Sequence, residues 1–251
     1  MFDLGVVSIS FRDKSPAEIL AAAKAAGLSC VEWGSDVHAP CRQPEKLREI
    51  AALQEQYGIS CCSYGTYFRV TRNQPEEILP YIEAARILGT DVLRIWCGLT
   101  GFHEETEKAE IYARARKLAQ IAAQESVTLC LECHPGTMTD CKEGALAMME
   151  AAGSDHFKLY WQPNQYKTEE ENCQYIQSLK PWLTHVHVFQ WAGPEKYPLA
   201  DGKEIWKQYL SLLGGPRKLL FEFMPDGKIE TLSREADALR EILQDLCSGV
   251  K

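Results

Sequence analysis

Short apolar segments alternate with longer amphipathic segments from one end of the chain to the other. The short segments are rich in β-branched and aromatic residues, whereas the longer ones carry apolar residues at helical spacing. The alternation therefore predicts β-strands that are each followed by an α-helix, in eight successive pairs. The predicted strands cover residues 4–8, 29–33, 59–64, 92–96, 128–132, 158–161, 184–188 and 219–223.

The helical segments carry recognisable start signals. Ser15 offers a capping side chain, Pro16 suits the first helical position, and Glu18 places a negative charge in the first turn. This first helix is expected to end near Gly27. The other helices are predicted at about residues 43–56, 75–89, 104–124, 142–152, 169–179, 203–213 and 231–247.

Repeated strand and helix pairs without a hairpin signal indicate parallel strands joined by helical crossovers. Such a pattern suits a closed barrel or a doubly wound sheet. The barrel is favoured because eight units in 251 residues match its usual size, and no glycine-rich phosphate loop follows any strand. The sequence thus predicts an α/β protein, with residues 1–251 forming a single (β/α)8 TIM barrel domain.

Composition narrows the class of partner. The net charge of −8 opposes binding to nucleic acid, which usually requires a basic face. The chain shows no signal-peptide pattern and no apolar stretch of membrane-spanning length, so we expect a cytoplasmic protein without a membrane partner. The ten cysteines include no CxxC pair and half of them lie in apolar runs, so we expect reduced core residues. A small-molecule substrate is the better expectation.

Polar residues mark the ends of four successive predicted strands. Active sites of TIM barrels form where the carboxyl ends of the strands meet, so these residues are expected to share one site. Carboxylate, amide and imidazole ligands together suit one divalent ion, Mn²⁺, Mg²⁺, Co²⁺ or Zn²⁺, and no organic cofactor is indicated. The predicted metal ligands are Glu132, Gln162, His187 and Glu222.

Other residues near the same rim are candidates for contact with the substrate. His185 lies two residues before His187, so both side chains share one face of a strand, and His185 is expected to support the ligand or the substrate. His38 and His134 lie in loops over the mouth, where a substrate-binding role competes with a surface or capping role.

Aromatic and basic residues complete the list. Six aromatic residues near strand ends could line an apolar wall for a sugar or belong to the core; they are Trp33, Tyr64, Trp96, Trp161, Phe189 and Trp191. Of these six, Trp96 is expected to contact the substrate. Arg69 and Arg94 could each bind a phosphate or a carboxylate, or form a salt bridge.

These positions resemble the sugar phosphate isomerase/epimerase superfamily, the xylose isomerase-like TIM barrels. The resemblance covers the whole chain and includes Glu-Trp-Gly-x-Asp-Val-His at 32–38, Glu-x-His at 132–134, Trp-Gln-Pro at 161–163 and His-Val-His-Val at 185–188. It implies a metal-dependent isomerase or epimerase of a small polyhydroxylated substrate, and a possible homo-oligomer. Glu132 and Glu222 would then be ligands and also the catalytic pair that exchanges a substrate proton through an enediolate.

The chain departs from that family pattern at two places. Gln162 and Gln165 stand where the usual pattern has Asp and, three residues later, His; Phe189 and Gln190 stand where many members have Lys and Asp. A neutral amide removes one negative charge from the ligand set, so weaker metal binding is expected.

Three other functions remain open on the sequence. A lyase or dehydratase would begin with the same proton abstraction beside a carbonyl. A sugar-binding protein with a degenerate site would explain Gln162 and Phe189. An endonuclease IV-like enzyme would require a richer set of metal ligands and a basic face, and this acidic chain offers neither.

Overall fold

The computed structural model describes residues 2–248 and shows a closed parallel barrel. The strand order around the barrel is β1-β10-β7-β6-β5-β4-β3-β2, and β2 pairs with β1 to close it. The predicted (β/α)8 TIM barrel is therefore confirmed. The barrel strands are β1 Phe2–Val7, β2 Cys30–Gly34, β3 Ser60–Arg69, β4 Val92–Trp96, β5 Thr128–Glu132, β6 Phe157–Trp161, β7 Leu183–Val188 and β10 Arg217–Phe221.

Eight α-helices surround these strands within residues 2–248. They are α1 Pro16–Ala25, α2 Pro44–Tyr57, α3 Leu79–Leu88, α4 Lys108–Gln124, α5 Lys142–Ala152, α6 Glu169–Leu179, α7 Lys203–Leu213 and α8 Leu232–Ser248. Short 3-10 helices at Ser8–Phe11, Pro75–Ile78, Leu199–Gly202 and Ile229–Thr231 connect some of the elements. No helix in the described part of the chain has the length and apolar character needed to cross a bilayer.

The start of α1 forms as the sequence predicts. The Oγ of Ser15 accepts a hydrogen bond from the backbone N–H of Glu18, and the Glu18 carboxylate accepts from the N–H of Ser15. This reciprocal capping box satisfies two backbone donors that the helix itself leaves unpaired.

Helix α4 begins at Lys108, four residues after the predicted start at Glu104. The backbone N–H groups of Glu104 and Glu105 both donate to the carbonyl of Gly101 and form a turn in the loop after β4. Local hydrogen bonding in this loop therefore delays the helix.

The prediction that the chain contains no hairpin is wrong. Strands β8 (Gln190–Ala192) and β9 (Glu195–Tyr197) pair antiparallel just after β7. Gly193 joins them in the left-handed region with φ 56°, a conformation that glycine adopts without strain. The hairpin places Trp191 over the mouth of the barrel.

The side chains of the barrel strands form two apolar regions. Most outward-facing residues pack beneath the helices in one large core, whereas a smaller group that includes Cys30, Cys62, Cys130 and Tyr160 packs together separately. All ten cysteines are free, and most of them are buried. The apolar packing below leaves the charged residues concentrated near the carboxyl ends of the strands.

Candidate metal and active site

Two predicted metal ligands, Glu132 and Glu222, lie close to one nitrogen of a third, His187. Nδ1 of His187 lies 3.4 Å from Oε2 of Glu222 and 3.8 Å from Oε1 of Glu132. One donor atom from each of the three residues lies within 4.8 Å of the other two, and all three side chains are buried. Ligands placed about 2.1 Å from one ion at right angles would be about 3.0 Å apart, so the set fits a single divalent ion after a small contraction.

Gln162 adds a fourth possible donor atom to this group. Its Oε1 lies 2.9 Å from Nδ1 of His187 and accepts the ring N–H in the absence of a metal. The same oxygen would be free to face an ion if that proton were displaced. The structure therefore brings together the four residues that were predicted as metal ligands.

The conformation of Phe223 sets the position of Glu222. Strand β10 ends at Phe221, and Phe223 adopts the left-handed region with φ 53°, which is costly for a bulky side chain. The Phe223 N–H donates to Oγ of Ser10, and the Glu222 N–H donates to the carbonyl of Val188. These contacts turn the chain immediately after Glu222.

An arginine crosses the barrel beside the ligands. Arg94 is fully buried on β4, its Nε donates to Oε1 of Glu32 over 2.7 Å, and its Nη1 donates to Oε2 of Glu132. The other oxygen of Glu132, Oε1, faces His187. Arg94 therefore separates the two oxygens of Glu132 into one that is paired with arginine and one that faces the possible metal position.

Gly65 makes room for this arginine. It pairs with Arg94 across β3 and β4, and a Cβ atom at position 65 would lie 2.7 Å from both Nη2 of Arg94 and Oε1 of Glu32. Such an approach is too close for a side chain. Glycine is required here because of crowding by an ion pair, and not because of its own backbone angles.

The buried carboxylates of this region outnumber the buried guanidinium group. Three ionised glutamates, at positions 32, 132 and 222, and one guanidinium would give a net charge of −2 among buried side chains. Burial raises the pKa of Glu222, although His187 and Arg94 oppose this. Burial alone would lower the pKa of His187, but Glu222 and Glu32 outweigh it and raise that pKa. Both shifts favour the protonated forms of Glu222 and His187, whereas a divalent ion at this position would favour their deprotonated forms.

His185 lies below the ligand group. Its Nε2 is 3.2 Å from the carbonyl of Cys62, and its ring packs against Tyr160 with centroids 4.9 Å apart. Burial lowers the pKa of His185 to about 4, so the neutral ring donates to Cys62. It does not line the cavity above the ligands, so the geometry favours a supporting position for His185.

A cavity of about 190 Å³ opens directly above Glu132 and Glu222. Its walls include Trp96 and His134, whose rings lie 4.6 Å apart, and both were predicted to contact a substrate. Nδ1 of His134 lies 2.8 Å from the carbonyl of Pro135, which leaves Nε2 as the nitrogen that can accept a proton. A larger cavity of about 450 Å³ near α5 and α6 is lined by none of the four predicted metal ligands. The smaller cavity is therefore the candidate active site.

Arg69 and His38 lie outside this cavity. The guanidinium carbon of Arg69 is 6.0 Å from the centre of the Trp96 ring, so Arg69 contacts a residue of the cavity wall without lining the cavity itself. The ring nitrogens of His38 contact Oγ of Ser8 at 3.1 Å and the carbonyl of Lys14 at 3.2 Å. The geometry gives no support to direct substrate contact by either residue.

The predicted aromatic wall divides into two groups. Trp96, Phe189 and Trp191 line the cavity, and Tyr67 and Phe223 join them. The other three aromatic residues belong to the core: Trp33 donates from Nε1 to Gln54, Tyr64 donates to the carbonyl of Ala39, and Trp161 packs against Trp206. Alternation along a strand explains the difference, since Trp33 points outward when Glu32 points inward.

Several polar atoms of the residues that line the cavity lack a hydrogen-bond partner. Within residues 2–248, the buried atoms Nε1 of Trp96, Nε1 of Trp191 and Oε1 of Gln165 have no hydrogen-bond partner. All three residues line the cavity. Once small side-chain movements exposed them, these two donors and one acceptor would pair with the hydroxyl groups of a ligand that also has an apolar face.

Glu32 is the main residue that the sequence-based site omitted. A usable signal was present, because an acidic residue within the apolar run Cys30-Val31-Glu32-Trp33 is costly unless it has a partner. The partner, Arg94, lies 62 positions away, and only the barrel brings the two together.

The match to known families agrees with this architecture. The family model described as xylose isomerase-like TIM barrel matches residues 20–228. The chain belongs to this family. The family resemblance expected from the sequence is therefore confirmed.

A curated relative of this xylose isomerase-like barrel is a 3-dehydroshikimate dehydratase of Bacillus anthracis. The two are 25% identical over 101 residues, which cover 39% of this chain and 36% of the relative. The match spans only about a third of that relative, so its activity does not transfer directly.

Solved structures share the fold over nearly the full length of the chain. A probable 3-DHS dehydratase from Bacillus anthracis has a TM-score of 0.79 at 19% identity and covers 96% of this chain and 99% of its own. A D-tagatose 3-epimerase-like protein has the same TM-score at 15% identity, with 99% and 100% covered. A xylose isomerase-like barrel from Mycobacterium smegmatis, solved in complex with magnesium, has a TM-score of 0.73 at 13% identity, with 99% and 98% covered. At these identities the similarity establishes the fold alone.

Proposed function

We propose that this barrel is an enzyme that binds one divalent metal ion and removes a carbon-bound proton next to a carbonyl group of a small polyhydroxylated substrate. The observation that carries the proposal is the convergence of Glu132, Glu222 and Gln162 on Nδ1 of His187. One structural relative was solved in complex with magnesium, which supports a metal-dependent function for this barrel.

The ion would be held by Glu132, His187 and Glu222, with Gln162 as a neutral fourth ligand. When bound, it would polarise the substrate carbonyl and lower the free-energy cost of removing the adjacent proton. Side chains of the protein would carry out the proton transfers.

Glu222 is the better candidate for the catalytic base. Both oxygens of Glu132 are engaged, one by Arg94 and one toward the metal position, so neither remains for proton exchange with the substrate. Glu222 has no arginine partner among the described residues, so one of its oxygens can face the substrate while the other faces the metal position. His134 could protonate or deprotonate a hydroxyl oxygen through Nε2 at the opposite wall of the cavity.

Isomerisation of a sugar or sugar acid is the first candidate reaction, because one base can carry a proton between neighbouring carbons. Dehydration is the second, since it also requires one base, with His134 as a source of the proton for the departing hydroxyl. The dehydratase relative supports this second reaction. Epimerisation by two opposed glutamates receives less support, because Arg94 occupies Glu132.

The test begins with elemental analysis of protein purified without chelator or metal-affinity resin. The Mn²⁺-loaded protein is then incubated in D₂O with D-tagatose, D-allulose and 3-dehydroshikimate, and deuterium incorporation and products are followed by NMR. We expect exchange beside a carbonyl in at least one compound and its loss in Glu222→Gln. Epimeric or isomeric products would identify the first reaction, and a product that has lost one water and gained a double bond would identify the second. A protein that binds no Mn²⁺, Mg²⁺, Co²⁺ or Zn²⁺ would contradict the proposal and favour a sugar-binding function.

A further inference from the structure

Glu32 occupies a position that the proposed chemistry leaves unexplained. It is fully buried inside the barrel, does not line the cavity and is not one of the proposed ligands. Its Oε1 accepts from Nε of Arg94 over 2.7 Å and lies 3.8 Å from Nε2 of His187. One carboxylate oxygen therefore faces both the arginine that holds Glu132 and the far side of the central histidine.

Burying the charge of a third carboxylate here costs free energy unless a neighbouring group compensates it. Glu32 forms a buried ion pair with Arg94 over 2.7 Å, and this pairing offsets the cost of burying its charge. A buried glutamate and arginine together usually stabilise a fold little compared with apolar residues of similar size. The pair is therefore better explained by what it does to neighbouring groups than by stability.

Arg94 would oppose metal binding if it were alone. Its guanidinium contacts Glu132 directly, so a positive charge lies next to a ligand of the proposed cation. The negative charge of Glu32 on Nε offsets that repulsion while the guanidinium continues to orient Glu132. Gly65 preserves this arrangement, because a Cβ at that position would lie 2.7 Å from atoms of both partners.

We propose that Glu32 is a positioning residue for the metal site: it fixes Arg94 against Glu132 and neutralises the arginine charge, so that the free oxygen of Glu132 can bind a divalent ion. This inference rests on the proposed metal-dependent function. It assigns Glu32 no contact with the metal or the substrate.

The experiment measures the dissociation constant of Mn²⁺ by calorimetry for the full chain and for three variants. Glu32→Gln keeps the shape of the side chain and an oxygen acceptor for Arg94, but removes the charge. Glu32→Asp keeps the charge but shortens the reach by one methylene. Glu235→Gln is the matched control, because Glu235 is also buried and beside an arginine, Arg234, but hydrogen-bonds the N–H of Leu199 far from the ligands.

We expect Glu32→Gln to weaken Mn²⁺ binding by about 10- to 100-fold, the usual effect of losing a residue that supports a metal ligand. Glu32→Asp should weaken it less, and Glu235→Gln should match the wild type. A purely structural role predicts the opposite order, because the shortened aspartate disturbs packing more than the isosteric glutamine. Unfolding in urea, measured without metal, shows whether each variant is folded.

The outcomes separate this inference from the proposed function. Wild-type protein that binds no divalent ion contradicts both. Wild-type binding with an unchanged constant in Glu32→Gln, or greater loss in Glu32→Asp than in Glu32→Gln, overturns the role of Glu32 alone. If Glu32→Gln does not fold, Glu32→Asp decides: a constant weakened about three- to tenfold supports the role, and a wild-type constant overturns it.

Discussion

Nδ1 of His187 lies 2.9 Å from Oε1 of Gln162, at the point on which Glu132 and Glu222 also converge. The pair joins the ends of β6 and β7, which are neighbours in the barrel. The family pattern expected from the sequence has an aspartate where Gln162 stands. The amide accepts a hydrogen bond from His187 and contributes no charge, so the affinity of the site for a cation depends on the remaining carboxylates.

Replacing Gln162 by aspartate should therefore strengthen metal binding. We expect Gln162→Asp to lower the dissociation constant of Mn²⁺ about tenfold or more, because it adds one negative charge to the ligand set. Gln162→Asn is the matched control, since it shortens the side chain equally without adding charge. Calorimetric titration of both variants checks the prediction, and equal constants for the two would contradict it.

Metal should also stabilise the fold. At a concentration 100 times the dissociation constant, Mn²⁺ should add about 2.7 kcal/mol to the free energy of unfolding. For a chain of this size that corresponds to an increase of roughly 5 to 10 °C in the thermal midpoint. Differential scanning fluorimetry with and without EDTA measures the change. Glu222→Gln should show a smaller increase, and no increase in the wild type would count against a metal bound to the native state.

Gly65→Ala should destabilise the protein and weaken its metal site together. The added Cβ would press on Arg94 and Glu32 from 2.7 Å, and overpacking of this kind costs about 1–3 kcal/mol. Gly89→Ala is a useful comparison, because Gly89 has φ 83° and open space around it. Both variants should lose stability in urea unfolding, but only Gly65→Ala should lose Mn²⁺ affinity. Unchanged affinity in Gly65→Ala would show that the ion pair tolerates displacement.

The buried ring of His38 should make stability depend on pH. Burial lowers the pKa of His38 in the folded state, although the carbonyl of Lys14 opposes this, so the unfolded chain binds a proton more readily. Stability from neutral His38 is complete above the unfolded pKa of about 6.5 and is lost as the pH falls toward the lower folded value. His38→Gln should therefore show a weaker decline in unfolding free energy between about pH 7 and 5. His103→Gln, at an exposed histidine, should keep the wild-type slope.

Hydrophobic periodicity in the sequence determined the order and type of nearly every element. Strands β4 and β5 and helices α5, α6 and α7 have the predicted bounds, since each is a continuous apolar or amphipathic segment between clear turn signals. The β8–β9 hairpin escaped prediction because Gln190–Ala192 and Glu195–Tyr197 are short and partly exposed, so they carry little apolar alternation.

The convergence of Glu132, His187 and Glu222 was also accessible from the sequence, because the barrel rule places all strand ends at one rim. Which oxygen of Glu132 is free, and why Glu32 is buried, depended on Arg94. The strand containing Arg94 brings one guanidinium between carboxylates 62 and 38 positions away in sequence. Local patterning specifies which face of a strand is buried, but only closure of the barrel decides which buried charges meet.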